Sequence, residues 1–214
     1  AVQTPAPAGN EWVDRVQRML QITGRRHGHA LVLGAACEQL VEELIRQSDL
    51  RLLVIESDAT RAETLRRRWD AAGWYGSRVA VLAGNDSLGS LPAYFAELIV
   101  WQPLAGERTQ FSSEQLAVLF RCLRPYGGAA CISLPAAAVS LFQETVRAAA
   151  LEGAELVQHP GMVCLSRPGG LAGATNYTVP WQASRDDRVS SPLGVLWYDD
   201  DVGFFKRSPP PMFV

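Results

Sequence analysis

Several short stretches of the chain carry residue types able to hold a small molecule. Glu56-Ser57-Asp58 follows an apolar run. A carboxylate there has only acceptors, arranged in a pair, so Glu56 can take both hydroxyls of a ribose-like diol. A solvated strand end accounts equally for Glu56, and Asp58 suits the cap of a following helix. Gly34-Ala35-Ala36-Cys37-Glu38 follows another apolar run. A glycine at such a point lets backbone approach a ligand where a side chain would collide. Glu38 at a helix start would favour the helix dipole but could crowd that ligand, and a plain strand-to-helix turn is the competing reading. Asn85-Asp86 offers an amide and a carboxylate after a third apolar run, although both residues are common turn formers. No residue stands out as a general base. His27 and His29 precede the first strand, and His159 falls in a hairpin turn at the surface. Cys37, Cys122, Cys131 and Cys164 form no Cys-x-x-Cys pair and no cluster with histidine, so neither zinc nor a redox dithiol is expected. Cys131 and Cys164 lie in apolar strand-like runs, where cysteine acts mostly as a small buried hydrophobe. An export route would permit disulfides, but the spacing demands none.

The elements that must position these residues alternate in kind. Apolar residues at helical spacing mark a helix over 11–22, with Trp12, Val13, Val16, Met19 and Leu20 on its inner side. Strands are expected at 30–33, 50–55, 79–82, 98–101 and 128–134, and helices at 38–46, 59–72, from Ser112 or Ser113 to 123, and at 139–151. Residues 155–158 and 162–166, joined through His159-Pro160-Gly161, read as a closing antiparallel hairpin. Near-continuous Val, Leu and Ile runs between amphipathic helices indicate a mostly parallel sheet covered on both faces. The expected fold is a doubly wound, Rossmann-like α/β sheet of seven mixed strands. Ligands of such sheets sit at the carboxyl ends of the strands, near the switch point. At 48% hydrophobic, 20% charged and a net charge of -2, the chain offers no basic footprint for nucleic acid. No apolar run approaches the roughly 20 residues needed to span a bilayer. Arg66-Arg67-Arg68 reads as the solvated end of a helix.

These residues together resemble the class I S-adenosylmethionine-dependent methyltransferases. That family's cofactor loop has an acid two residues before the first of three alternating glycines. Gly34 matches the first glycine, while Ala36 and Glu38 replace the second and third and Val32 replaces the acid. The resemblance places Glu56 at the ribose of S-adenosylmethionine and Asn85 or Asp86 near its adenine, and counts Trp101, at the fourth strand end, among the cofactor-binding residues. Leu123-Arg124-Pro125-Tyr126-Gly127-Gly128 is similar to the family's Leu-Arg-Pro-Gly-Gly turn, which speaks for fold and not activity. Glu97…Gln102-Pro103-Leu104 mimics the acid…Asn-Pro-Pro spacing of amino-methylating enzymes, but lacks the key asparagine and is read as a chance match. A dehydrogenase would need Gly-x-Gly-x-x-Gly in the first turn, which fails at two of three positions. No metal is implied.

Beyond about Pro168, glycines and prolines break any long element, yet Tyr177, Trp181, Trp197, Phe204 and Phe205 supply more aromatics than a disordered tail carries. Asn176-Tyr177-Thr178, Pro192-Leu193-Gly194-Val195-Leu196-Trp197 and Ala71-Ala72-Gly73-Trp74-Tyr75-Gly76 resemble large bacterial secreted proteins, common in planctomycetes. These join a methyltransferase-like domain to a pyrroloquinoline-quinone-type β-propeller. The resemblance implies a linker over 1–10, a methyltransferase-like domain over 11–168, and an extended connector over 169–214 toward a propeller-like partner. The Pro- and Ala-rich start is consistent with a chain from which a signal peptide has been removed, and the apolar end at Met212-Phe213-Val214 with a further domain beyond. An extracytoplasmic setting follows, with a cytoplasmic one as the alternative. Two functions are expected to compete: a degenerate binding or structural module of a larger exported protein, and an active methyltransferase of unknown acceptor.

Overall fold

The computed structural model describes residues 10–34, 38–102 and 111–171. Seven strands form one sheet in the order β3-β2-β1-β4-β5-β7-β6. The parallel strands are β1 (His29–Leu33), β2 (Arg51–Glu56), β4 (Ala96–Trp101) and β5 (Gly128–Ile132), with β3 (Val79–Ala83) at one edge. All five run parallel. Their residues are apolar at almost every position because both faces are covered, as a parallel sheet requires. The hairpin of β6 (Glu155–His159) and β7 (Met162–Arg167) inserts antiparallel at the other end, with β7 against β5. The expected mixed sheet and closing hairpin are both present.

Alternation along the strands divides the core in two. Toward one face point Ala30 and Val32 of β1, Leu52 and Val54 of β2, and Leu98 and Val100 of β4. They meet α1 (Asn10–Thr23), α2 (Glu38–Gln47) and α3 (Ala59–Ala71), whose Val16, Met19, Leu20, Leu40, Leu44, Leu65 and Trp69 are buried there. Leu31, Leu33, Ile99, Ala130 and Ile132 point the other way, against Leu116, Leu119 and Phe120 of α4 (Ser113–Cys122) and Phe142 of α5 (Ala136–Ala148). Burying Trp69 completely contributes about 1.5–3 kcal/mol from area alone.

Two caps set helix starts as the sequence suggests. Asp58 Oδ1 accepts from the Thr60 and Arg61 amides at 2.7 and 3.1 Å. Ser112 Oγ accepts from the Gln115 amide while the Gln115 side chain accepts from the Ser112 amide, a reciprocal capping box. Helix α5 begins three residues earlier than expected, directly after Pro135, and stops before Ala150, whose φ of 46° leaves the helical region. Asn85 and Asp86, read from the sequence as turn formers, begin a 3-10 helix, Asn85–Ser90.

The arginine run needs correction. Arg66 donates to the Val81 carbonyl of edge strand β3 at 2.9 Å, and Arg68 donates to the buried Glu42 at 2.7 Å. Of the three, only Arg67 fits a solvated helix end. The reason lies in α3 crossing the sheet edge, where an arginine blunts exposed carbonyls of β3. The 1–10 linker up to residue 9, and the connector from 172 onward with Trp181, Trp197 and Phe204, lie outside the described residues.

Candidate functional site

Strand order reverses between β1 and β4, so the switch point opens at the carboxyl ends of these two strands. Gly34 stands there. Its N–H donates to the Ile55 carbonyl at 3.2 Å, and its φ of +73° is one a side chain rarely adopts. Among the described residues, an added Cβ would meet the Gln102 carbonyl oxygen at an ordinary 3.7 Å, so the backbone angle is what favours glycine here. Ala36 and Cys37 lie outside the described residues.

Beside Gly34, Glu56 ends β2 and is only 5% exposed, which overturns the reading as a solvated strand end. The parallel register Leu33↔Ile55 keeps it level with the switch point. Its carboxylate already has protein partners. Oε1 accepts from the Asp58 amide at 3.1 Å and the Ser57 hydroxyl at 3.4 Å, while the Arg61 guanidinium lies 3.3 Å from Oε2. Arg61 reaches back because the Asp58 cap places it in the first turn of α3, facing the strand it follows.

Glu38 opens α2, as expected, but its carboxylate pairs with Arg68 at 3.3 Å. That ion pair belongs to a larger cluster in which Arg68 also holds Glu42. The Glu42 hydrogen bond is the main reason the Arg68 guanidinium holds its proton even more tightly than usual. Val32 is fully buried in the core under α1–α3, so no carboxylate stands at the family's acidic position.

Trp101 closes β4 at the same edge, half-buried, with its ring 4.3 Å from that of Phe111. Gln102 follows, and its side-chain oxygen accepts from Arg15 of α1 at 2.8 Å. Arg15 also lies over the Trp12 ring, 4.9 Å from its centre. The amino end of α1 thus reaches the switch point, and sequence spacing offered no sign of it. Asn85 and Asp86 begin the 3-10 helix after β3, on the same edge of the sheet. Pro103 and Leu104 lie outside the described residues.

Glu97 is remote from this edge. It lies near the start of β4, about 16 Å along the strand from Gln102 at the usual rise per residue. Arg124 pairs with its carboxylate, and Arg25 lies 3.6 Å away. The acid…Gln-Pro spacing therefore reflects no shared site. His29 opens β1 and His27 pairs with Asp49 at 3.4 Å, both at the opposite edge. His159 differs from its expected place. It is the last residue of β6, half-buried at the carboxyl edge, within a depression of about 540 Å3 lined by Leu134, Val139, Pro160 and Met162.

A buried, acceptor-only carboxylate at this strand end, level with Gly34, has the chemistry to take the ribose diol of S-adenosylmethionine, but Arg61 already pairs with it. The amino-acid half finds no carboxylate at position 32. Among the described residues, no group of three or more His, Cys, Asp or Glu could hold a metal, and no helix is long and apolar enough to cross a membrane.

By sequence, no family model and no curated relative matches the chain. Solved structures do match it in shape. One is a putative S-adenosyl-L-methionine-dependent methyltransferase from Methanococcus maripaludis, at TM-score 0.64 and 13% identity, covering 75% of this chain and 85% of that one. A putative sarcosine dimethylglycine methyltransferase from Galdieria sulphuraria matches at TM-score 0.56 and 14% identity, over 70% of this chain and 63% of its own. A variant of MtNAS in complex with S-adenosylmethionine matches at TM-score 0.53 and 14% identity, over 73% of this chain and 61% of its own. Identities this low speak for fold alone. The strand order, the antiparallel β7 and these likenesses agree: the chain has the Rossmann-like fold of class I S-adenosylmethionine-dependent methyltransferases.

Proposed function

We propose that residues 11–168 are a methyltransferase-like domain whose cofactor site is degenerate, and that it serves as a binding or structural module of a larger exported protein. One observation carries this reading. Two carboxylates at the switch point are already neutralised from within, Glu38 by Arg68 and Glu56 by Arg61. A ribose diol would have to compete with a guanidinium for Glu56, and charge-assisted pairs of this kind exceed neutral hydrogen bonds in strength. Replacement of the acid by Val32 and of the third glycine by Glu38 supports the same conclusion. The exported setting, and a propeller-like partner reached through residues 169–214, are supported by the resemblance at 176–178 and 192–197. S-adenosylmethionine is made in the cytoplasm, so an exported domain would be short of it.

A second reading, an active S-adenosylmethionine-dependent methyltransferase of unknown acceptor in the cytoplasm, is favoured by Glu56 itself. A buried carboxylate at this strand end, in a fold shared with a protein solved with S-adenosylmethionine, is what nucleoside recognition needs. In that case Gly34, Ala36, Glu38, Asn85, Asp86 and Trp101 would line the rest of the site.

Calorimetric titration with S-adenosylmethionine and its demethylated product tests where any ligand sits. Glu56→Ala should weaken binding by about 1.5–3 kcal/mol, the loss of a hydrogen bond to a charged group. Arg61→Ala should strengthen it by removing the competitor. An affinity unmoved by either change would refute the assigned pose.

A further inference from the structure

Cys131 on β5 and Cys164 on β7 are 33 residues apart in the chain, yet the antiparallel register places them directly opposite one another. Their sulfurs lie 3.4 Å apart, and both residues are buried among the side chains facing α1–α3. Directly opposed antiparallel residues have Cα atoms about 4.5–5.5 Å apart, inside the window of roughly 4.4–6.8 Å that a disulfide bridges. Backbone geometry therefore needs no rearrangement. Small rotations about the two Cα–Cβ bonds would bring the sulfurs to bonding distance. We propose that Cys131 and Cys164 form a cross-strand disulfide that ties the β6–β7 hairpin to the parallel part of the sheet when the protein meets a disulfide oxidant.

The chemistry is thiol–disulfide exchange. The Cys164 thiolate attacks an external disulfide, such as oxidised glutathione, and releases one thiol. Cys131 then loses its proton and attacks Cys164 Sγ, releasing the second thiol and leaving the internal bond. Two cysteines are oxidised and one external disulfide is reduced to two thiols. The existing contact sets this order. The Cys131–Cys164 hydrogen bond raises the Cys131 thiol and lowers that of Cys164, and Cys164 is the less buried of the two. Cys122 is excluded as a partner by position, since it ends α4 in the other core, and burial pushes its thiol up to about 11. The site stands on register and distance, and is independent of whether any cofactor binds.

The test uses the full 214-residue chain, which carries four cysteines. One sample is kept in dithiothreitol; the other is refolded and then held in a mixture of oxidised and reduced glutathione. Both are then unfolded, alkylated and mapped by mass spectrometry. The expected result is loss of two alkylatable thiols, with one peptide pair joined through Cys131 and Cys164. Closing a loop of this length should also raise the thermal midpoint by about 10 °C over the reduced protein. Each sample is the wild-type chain, so the comparison does not depend on any variant folding. Four free thiols after oxidation, glutathione adducts on single cysteines, a link to Cys37 or Cys122, or a midpoint that fails to rise would overturn the proposal.

Discussion

Arg68→Ala should destabilise the domain by about 2 kcal/mol. Glu42 is 1% exposed and has the Arg68 guanidinium at 2.7 Å, with Arg46 as a second partner at 3.6 Å. Removing one member of a fully buried pair costs about 3–5 kcal/mol, because the remaining charge is left in a poor solvent. Two features lower that figure here. The Arg68 side chain is 43% exposed, so water screens part of the interaction, and Arg46 stays close to Glu42. In thermal unfolding, about 2 kcal/mol corresponds to a drop of roughly 4–8 °C for a domain of this size. The double variant Glu42→Leu/Arg68→Leu removes the buried charge together with its partner, and should recover stability to within about 1 kcal/mol of wild type. Urea unfolding of the three proteins separates these effects. A loss under about 0.5 kcal/mol for Arg68→Ala, or a double variant worse than the single one, would refute the claim that Arg68 neutralises a desolvated carboxylate.

Three further outcomes follow from other parts of the fold. Tyr126 has a φ of +61° where the related turn carries glycine, and the residue is 52% exposed. Left-handed backbone costs a non-glycine residue about 1–2 kcal/mol, against a glycine penalty of roughly 0.5–1 kcal/mol; Tyr126→Gly should therefore raise stability in urea by about 0.5 kcal/mol, and a loss above about 1 kcal/mol would count against the strain. Burial raises the Cys122 thiol to about 11, with Arg121 acting weakly in the opposite sense. Above about pH 9 the unfolded chain gives up this proton before the folded one does, so stability should decline from pH 9 to 11 by about 2–3 kcal/mol. Cys122→Ala should flatten that decline, and an identical slope in both proteins would show that the thiol is not desolvated. Finally, a chain ending at Leu171 retains both cores and should still unfold cooperatively; loss of the transition would place part of residues 172–214 within the domain.

Periodicity carried the layout because strands buried on both faces read as continuous apolar runs, and helices repeat every three or four residues. The closing hairpin was visible in two short runs joined by His159-Pro160-Gly161. Caps were visible as well, since Asp58 and Ser112 act on amides two or three residues away. Contacts set by tertiary packing were not. Arg61 reaches Glu56 only because α3 folds back beside β2, and the Glu42–Arg68 pair spans two helices 26 residues apart. The meeting of Cys131 and Cys164 depends on β7 inserting beside β5 in one particular register, and their spacing in the chain holds no trace of it. At the switch point, residue types announced Gly34 and Glu56, but not that Glu56 already had a cationic partner.

The most direct measurement is the affinity of the wild-type protein for S-adenosylmethionine by isothermal titration calorimetry. A degenerate site with Glu56 engaged by Arg61 predicts a Kd weaker than about 10 μM, or no detectable heat, corresponding to less than roughly 7 kcal/mol of binding free energy. Submicromolar binding would contradict the account and establish a working cofactor site.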